Sequence, residues 1–176
     1  MKNYPLLILH IPHASAHIPL TEGYVVSDSV RKAEQNLLTD WFTNDLFDFP
    51  ATKVVASFSR LFCDVERFAD DASEPMAQYG MGMCYTHLDN GNLRTKIRDK
   101  YYTPHHKNLT AAASELLALY GQVTLVDCHS FSDTPFLRDL DQETPRPDFC
   151  LGTDDFHTPP AMVDSLIQLI EKNGYT

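Results

Sequence analysis

Thr124-Leu125-Val126-Asp127-Cys128-His129-Ser130-Phe131 is an apolar run that ends abruptly in an acid, a histidine and a hydroxyl. Residues able to bind a metal or move protons, set where a buried strand surfaces, are what an open α/β protein presents at the carboxyl edge of its sheet. The pattern recurs near the N-terminus, where Leu6-Leu7-Ile8-Leu9 runs into His10-Ile11-Pro12-His13-Ala14-Ser15. A third run, Val54-Val55-Ala56-Ser57-Phe58, leads into Ser59-Arg60-Leu61-Phe62-Cys63-Asp64-Val65-Glu66-Arg67-Phe68. Three strand exits carry the groups on which one site can be built.

Working outward, the elements between these exits read as helices. Leu6 to Ile11 is continuously apolar, the pattern of a strand covered on both faces, and Pro12 ends it. From about Ser27 to Phe47, Leu37, Leu38, Trp41, Phe42 and Leu46 fall at helical spacing, with Ser27 or Asp28 as cap and Pro50 beyond the end. Lys53 to Phe58 and Val123 to Cys128 are the second and third buried strands. Between them, residues 59 to 95 show no long periodic segment and carry turn signals at Gly80-Met81-Gly82 and Asp89-Asn90-Gly91-Asn92. Helical character returns from Lys96, Pro104 kinks or starts a helix with Leu109, Leu116, Leu117 and Leu119 on its face, and Gly121 suits its end. Asp133 to Pro147 reads as a surface loop, Phe149-Cys150-Leu151 as a fourth strand, and Pro159-Pro160 opens a last amphipathic helix closed by Asn173-Gly174. Tyr175-Thr176 is either the start of a further strand or a short tail. Alternating strands and helices predict an α/β domain over residues 1–176, three-layered α/β/α with a mostly parallel or mixed sheet.

Composition narrows the function. At 176 residues and 43% hydrophobic, the chain suits one globular domain with a sizeable core. A formal charge of −10, from 14 basic and 24 acidic residues, argues against nucleic-acid and anionic-membrane surfaces, which reward Lys and Arg. A small anionic substrate stays compatible, because a few arginines set the field of one pocket. Cys63, Cys84, Cys128 and Cys150 are widely spaced and lie in or beside apolar runs, as buried hydrophobes rather than a disulfide or zinc framework. The start, Met1 to Pro5, leads into an apolar run too short for a signal core or membrane span, so a cytoplasmic location is expected.

The chemistry-bearing residues cluster at the exits. His129 follows a strand, and Asp127 two positions earlier is placed to hold its ring. His13 lies past the first strand end, whereas His10 reads as a polar plug, and His17 and His157 as surface residues. In an extended segment Asp64 and Glu66 share one face, and apolar neighbours imply that these charges are buried and need partners or a metal. Arg60 and Arg67 are natural receptors for substrate carboxylates, gripped by paired hydrogen bonds. Two histidines and a carboxylate, His13, His129 and Glu66, with an open position make a hydrolytic divalent-metal site, zinc foremost. Ser130, Tyr85 and His105 are further expected contacts of the substrate, although the His105-His106 pair either lines the site or caps a helix. Cys128 and His129 face opposite ways on an extended strand, which excludes them as a nucleophile pair.

Taken in order, His10-Ile11-Pro12-His13-Ala14-Ser15, Ser59 to Phe68, Glu74-Pro75-Met76, Gly80-Met81-Gly82 with Tyr85-Thr86, Tyr102-Thr103-Pro104-His105-His106 and Asp127 to Phe131 resemble the N-formylglutamate amidohydrolase family over about residues 6 to 153. The resemblance implies hydrolysis of a linear amide, N-formyl-L-glutamate to formate and L-glutamate, in histidine breakdown. It also implies a phosphorylase/hydrolase-like α/β/α fold related to zinc carboxypeptidases, in which Arg67 matches a carboxylate receptor and His129 a metal ligand. Family members run on past residue 176, and their distant relatives use a C-terminal glutamate as general base. Nothing here matches that region. If residues 1–176 are the whole polypeptide, the expectation is an enzyme slowed by ~10²–10⁴-fold, or a relative that binds glutamate-like carboxylates. An amidase of another N-acyl amino acid is the remaining alternative.

Overall fold

A computed structural model describes residues 6–86, 88, 91–137, 139 and 141–176. It falls into two compact units, Met1–Phe131 and Ser132–Thr176. In the first, strands β1 (Leu7–Ile11), β2 (Thr52–Val55) and β3 (Thr124–Asp127) form a parallel sheet in the order β2-β1-β3. The class is the expected α/β, a small parallel sheet flanked by helices. Central β1 is buried from Ile8 to Ile11, as its unbroken apolar run requires. The outer strands are shorter than expected and only partly covered: Val55 and Leu125 are 41% and 43% exposed, because each edge strand has a neighbour on one side alone.

The helix expected over 27–47 is two helices, α1 (Asp28–Leu38) and α2 (Thr43–Leu46). Ser27 caps α1, its Oγ accepting from the Val30 amide at 3.4 Å. The break at Thr39–Phe42 has a tertiary cause. The Thr39 amide and hydroxyl both turn back to the Gln35 carbonyl, and the Asp40 amide donates to the His13 carbonyl at 3.1 Å. Phe42 closes the turn in the left-handed region at φ 66°, a position few non-glycine residues adopt.

The aperiodic segment after β2 supplies most of the main core. Ala56, Phe58, Phe62, Cys63, Val65, Met83, Cys84 and Leu88 make the main core with Ile97. Phe58, Phe62 and Tyr101 stack edge to face with centroids 5.0 to 6.2 Å apart. Glu74 ties this segment down, its carboxylate accepting from the Phe68 and Met76 amides at 2.9 Å, and Gly80 takes the turn at φ 77°. The turn signal at Asp89 and Asn90 lies outside the described residues. Helix α3 (Gly91–Ile97) passes through one π-helical stretch, Arg98–Tyr102, into α4 (Thr103–Tyr120), which packs on β1 and β2. Gly121 ends α4 at φ 72°, as expected.

In the second unit, α5 (Pro160–Lys172) forms as expected, but Phe149-Cys150-Leu151 is not a strand and Cys150 is exposed. Instead the Phe149 amide donates to the Thr176 carbonyl at 2.9 Å and its ring meets Tyr175 at 5.4 Å. Among the described residues of 133–147 there is neither helix nor strand.

Because Phe62 is fully buried in this core, Phe62→Ala is expected to lower the unfolding free energy by about 3 to 5 kcal/mol in urea titration. The same truncation at Phe68, which is 60% exposed, should cost under about 1 kcal/mol.

Candidate functional site

In a parallel sheet ordered 2-1-3, the chain leaves β1 toward one side and returns to β3 on the other, and a crevice opens between their carboxyl ends. His10 and Asp127 are direct partners across β1 and β3, and His13 and His129 follow just beyond. The third exit does not continue as a strand. The Glu66 amide donates to Asp64 Oδ1 at 3.0 Å in a tight turn, and this turn, rather than strand alternation, brings both acids to His13.

His13 is fully buried between them. Its Nε2 lies 2.9 Å from Asp64 Oδ1, and its Nδ1 is 3.3 Å from Glu66 Oε2. A carboxylate only accepts, so Nε2 carries the proton and the lone pair of a neutral ring sits on Nδ1. That Nδ1 is buried and has no hydrogen-bond partner. Asp64 itself is wholly buried, accepting from Arg60 Nε at 3.2 Å and Nη2 at 3.0 Å. Burial would raise its pKa, but the His13 hydrogen bond and the Arg60 and Arg67 charges hold it well below the usual carboxylate range.

His129 is held from both ends, Nδ1 at 2.8 Å from Asp40 Oδ2 and Nε2 at 3.0 Å from Glu66 Oε1. Burial disfavours the charged ring, yet these hydrogen bonds outweigh it and raise the pKa to about 10. When a proton alone occupies the ring, its stabilisation is complete below the ordinary value of 6.5 and fades as pH rises toward about 10. Asp127 does not hold His129, contrary to the sequence reading. Its Oδ1 takes His10 Nδ1 at 2.5 Å, because cross-strand pairing puts these two side by side. Asp40 has the expected role instead. It was missed because it lies inside an apparently continuous helix, and a polar residue flanked by Leu38, Trp41 and Phe42 was the available signal.

The remaining expected residues are placed as follows. Arg60 is engaged by Asp64, with Nη1 3.8 Å from Asp40, and so braces the two acids that hold His13 and His129. Tyr85 is buried with Leu38, Leu61 and Met81 beside Arg60. Ser130 donates to the Trp41 carbonyl at 2.7 Å, fixing the turn that carries Asp40. His105 meets His10, Nε2 to Nε2 at 2.8 Å, and burial with the nearby His10 and His106 lowers its pKa to about 4. His106 Nε2 donates to the Val65 carbonyl, and the Tyr102 hydroxyl to that of Arg67, both from the π-helical stretch or the turn after it. Arg67 is the less committed arginine: its Nε has no hydrogen-bond partner and lies 3.8 Å from Asp64 Oδ2. His17 and His157 are exposed.

His13, Glu66 and His129 each offer a donor atom, all within 4.8 Å of one another. Two donors on one tetrahedral ion at ordinary bond lengths lie about 3.3 Å apart, close to the 3.0 and 3.3 Å that separate Glu66 from the two rings. The donor set therefore fits a divalent cation. Since the assembly hangs on Asp64, Asp64→Asn is expected to cost about 3 to 5 kcal/mol in chemical denaturation, because it strands the Arg60 charge.

The model of the N-formylglutamate amidohydrolase family matches residues 5–176. No curated protein matches the chain. Among solved structures, the N-formylglutamate amidohydrolase of Ralstonia eutropha JMP134 superposes with a TM-score of 0.84 at 22% identity, over 99% of this chain and 72% of that one. A gene product of Agrobacterium tumefaciens aligns at 26% identity and TM-score 0.48, over 74% of this chain and 53% of its own. No described helix is long and apolar enough to cross a membrane. With the family model spanning nearly its whole length and the same α/β architecture in a solved relative, the chain belongs to the N-formylglutamate amidohydrolase family and is an amidohydrolase.

Proposed function

We propose that this amidohydrolase works with a divalent metal, zinc foremost, and hydrolyses N-formyl-L-glutamate to formate and L-glutamate. The observation that carries the reading is His13 Nδ1, a buried lone pair without a hydrogen-bond partner, facing Glu66 within a cluster that includes His129. Burying such an atom is costly unless something binds it. His13, Glu66 and His129 hold the ion, while Asp64 and Asp40 fix the ring nitrogens that stay protonated. A bound zinc supplies Lewis acidity toward the formyl oxygen and a water pKa near about 7. Arg67 offers its guanidinium to a substrate carboxylate, and its shortage of partners supports that role. This chemistry belongs to histidine breakdown, and the free thiols of Cys63, Cys84 and Cys128 suit a reducing cytoplasm.

Purified protein is expected to hold a divalent metal and release formate from N-formyl-L-glutamate faster than from N-formyl-L-aspartate, or acetate from N-acetyl-L-glutamate. His129→Ala should abolish both metal content and turnover, and metal retained at the wild-type level would overturn the ligand set. Arg67→Ala should reduce kcat/KM for a dianionic substrate by about 10²-fold or more, the worth of a lost charge-assisted pair. A monoanionic analogue should lose less, and equal losses would exclude the carboxylate role.

A further inference from the structure

The same sheet edge carries a second constellation. His10 and Asp127 leave neighbouring positions of β1 and β3 side by side, Nδ1 to Oδ1 at 2.5 Å. Behind His10 stands His105, on the first turn of α4, at 2.8 Å. In front is Glu66: His10, Glu66 and Asp127 each offer a donor atom within 4.8 Å of the other two. Glu66 therefore belongs to both of the groups with cation-binding geometry found among the described residues.

The two groups match in access and differ in charge. In each, a buried histidine and the half-buried Glu66 are joined by a more open residue, His129 at 37% side-chain exposure in the first and Asp127 at 49% in the second. The guanidiniums of Arg60 and Arg67 are drawn to Asp64, at 3.0 and 3.8 Å, with Arg60 also 3.8 Å from Asp40. Neither arginine makes an ion pair with Glu66 or Asp127; their partners are imidazoles, His129 at 3.0 Å from Glu66 and His10 at 2.5 Å from Asp127, and the two carboxylates converge between these rings. Like charges so placed are costly unless a proton or a cation is shared between them.

We propose that His10, Glu66 and Asp127 form a second divalent-cation site, with the Glu66 carboxylate common to both sites. The proposal rests on the metal reading of the first group. His105 is the positioning residue of the second site, taking up the ring nitrogen of His10 that faces away from the ion, as the partner behind a ligating histidine does. Two carboxylates and one imidazole are harder donors than the two imidazoles and one carboxylate of the first group. Mn²⁺, Co²⁺ and Zn²⁺ all suit such a set.

The test uses the full chain, stripped with a chelator and titrated with Mn²⁺, with bound metal counted after desalting and the spectrum read by electron paramagnetic resonance. The expected result is about two ions per chain with a spin-coupled signal, as for ions sharing a carboxylate in two-metal hydrolases. Asp127→Asn, at a half-exposed side chain that keeps its size, should leave about one ion with an uncoupled signal, and His10→Gln the same. Saturation of the wild type at one ion, or Asp127→Asn retaining two, overturns the proposal. If that single ion is lost in His129→Ala, the first site stands and only the second falls. A wild type that binds none removes both.

Discussion

The ion cluster around Asp64 is the constraint on which the rest depends. A carboxylate with no solvent access survives folding only if its oxygens are filled, and here Arg60, His13 and the Glu66 amide fill them. Each of these bonds does a second task. The Arg60 bonds neutralise the charge and the His13 bond selects the ring tautomer. The bond from the Glu66 amide bends the chain so that the next acid reaches the opposite nitrogen of the same histidine. The core beneath, from Phe58 to Leu88, holds this segment rigid, and the Asp64 amide is itself tied to the Met83 carbonyl at 2.9 Å. Stability and chemistry share one set of contacts, which is why the acid without solvent access matters most to a site that must meet solvent.

The sheet explains why the cluster lies where it does. Strand order β2-β1-β3 separates the connections that follow β1 and β2, so the crevice at the carboxyl ends of β1 and β3 is left open by topology. Four acids, Asp40, Asp64, Glu66 and Asp127, reach it from three separate segments, and two arginines answer only part of their charge. Histidines supply the balance, since each can carry a proton or present a lone pair to a cation. A site so composed favours positive charge in its depth.

Much of this was legible in the sequence, for definite reasons. Apolar runs that stop at His10 to His13 and at Asp127 to His129 marked the sheet edge, because the last strand positions and the turns beyond them are where such groups meet across β1 and β3. Ser27, Gly121 and Pro160 marked helix ends through local hydrogen bonding and backbone freedom alone. The failures share a different cause. Asp127 was paired with His129 by proximity along the chain, but its partner is chosen by the register between β1 and β3, which no local pattern encodes. Asp40 hid in helical periodicity that is interrupted only because the His13 carbonyl, from a distant strand exit, claims its amide. Residues 59 to 95 lacked periodicity and read as loop, yet irregular backbone can be packed as tightly as any helix once its polar groups find partners.

The π-helical stretch at Arg98–Tyr102 sets the phase of everything after it. Helix α3 is committed to the core through Ile97, while Tyr102 at the end of the π stretch and His105 and His106 of α4 must reach the Arg67 carbonyl, His10 and the Val65 carbonyl. An uninterrupted α-helix turns by about 100° per residue, and a π turn holds one residue more than an α turn. That surplus residue acts as a spacer that lets one continuous rod satisfy two surfaces with incompatible angular demands. Shortening the rod by one residue would leave its length and composition almost unchanged while aiming its histidines about a quarter-turn away. In this family member the imidazoles of α4 owe their address to a counting offset, so alignments that slide a gap through residues 98–102 would compare side chains that point in different directions.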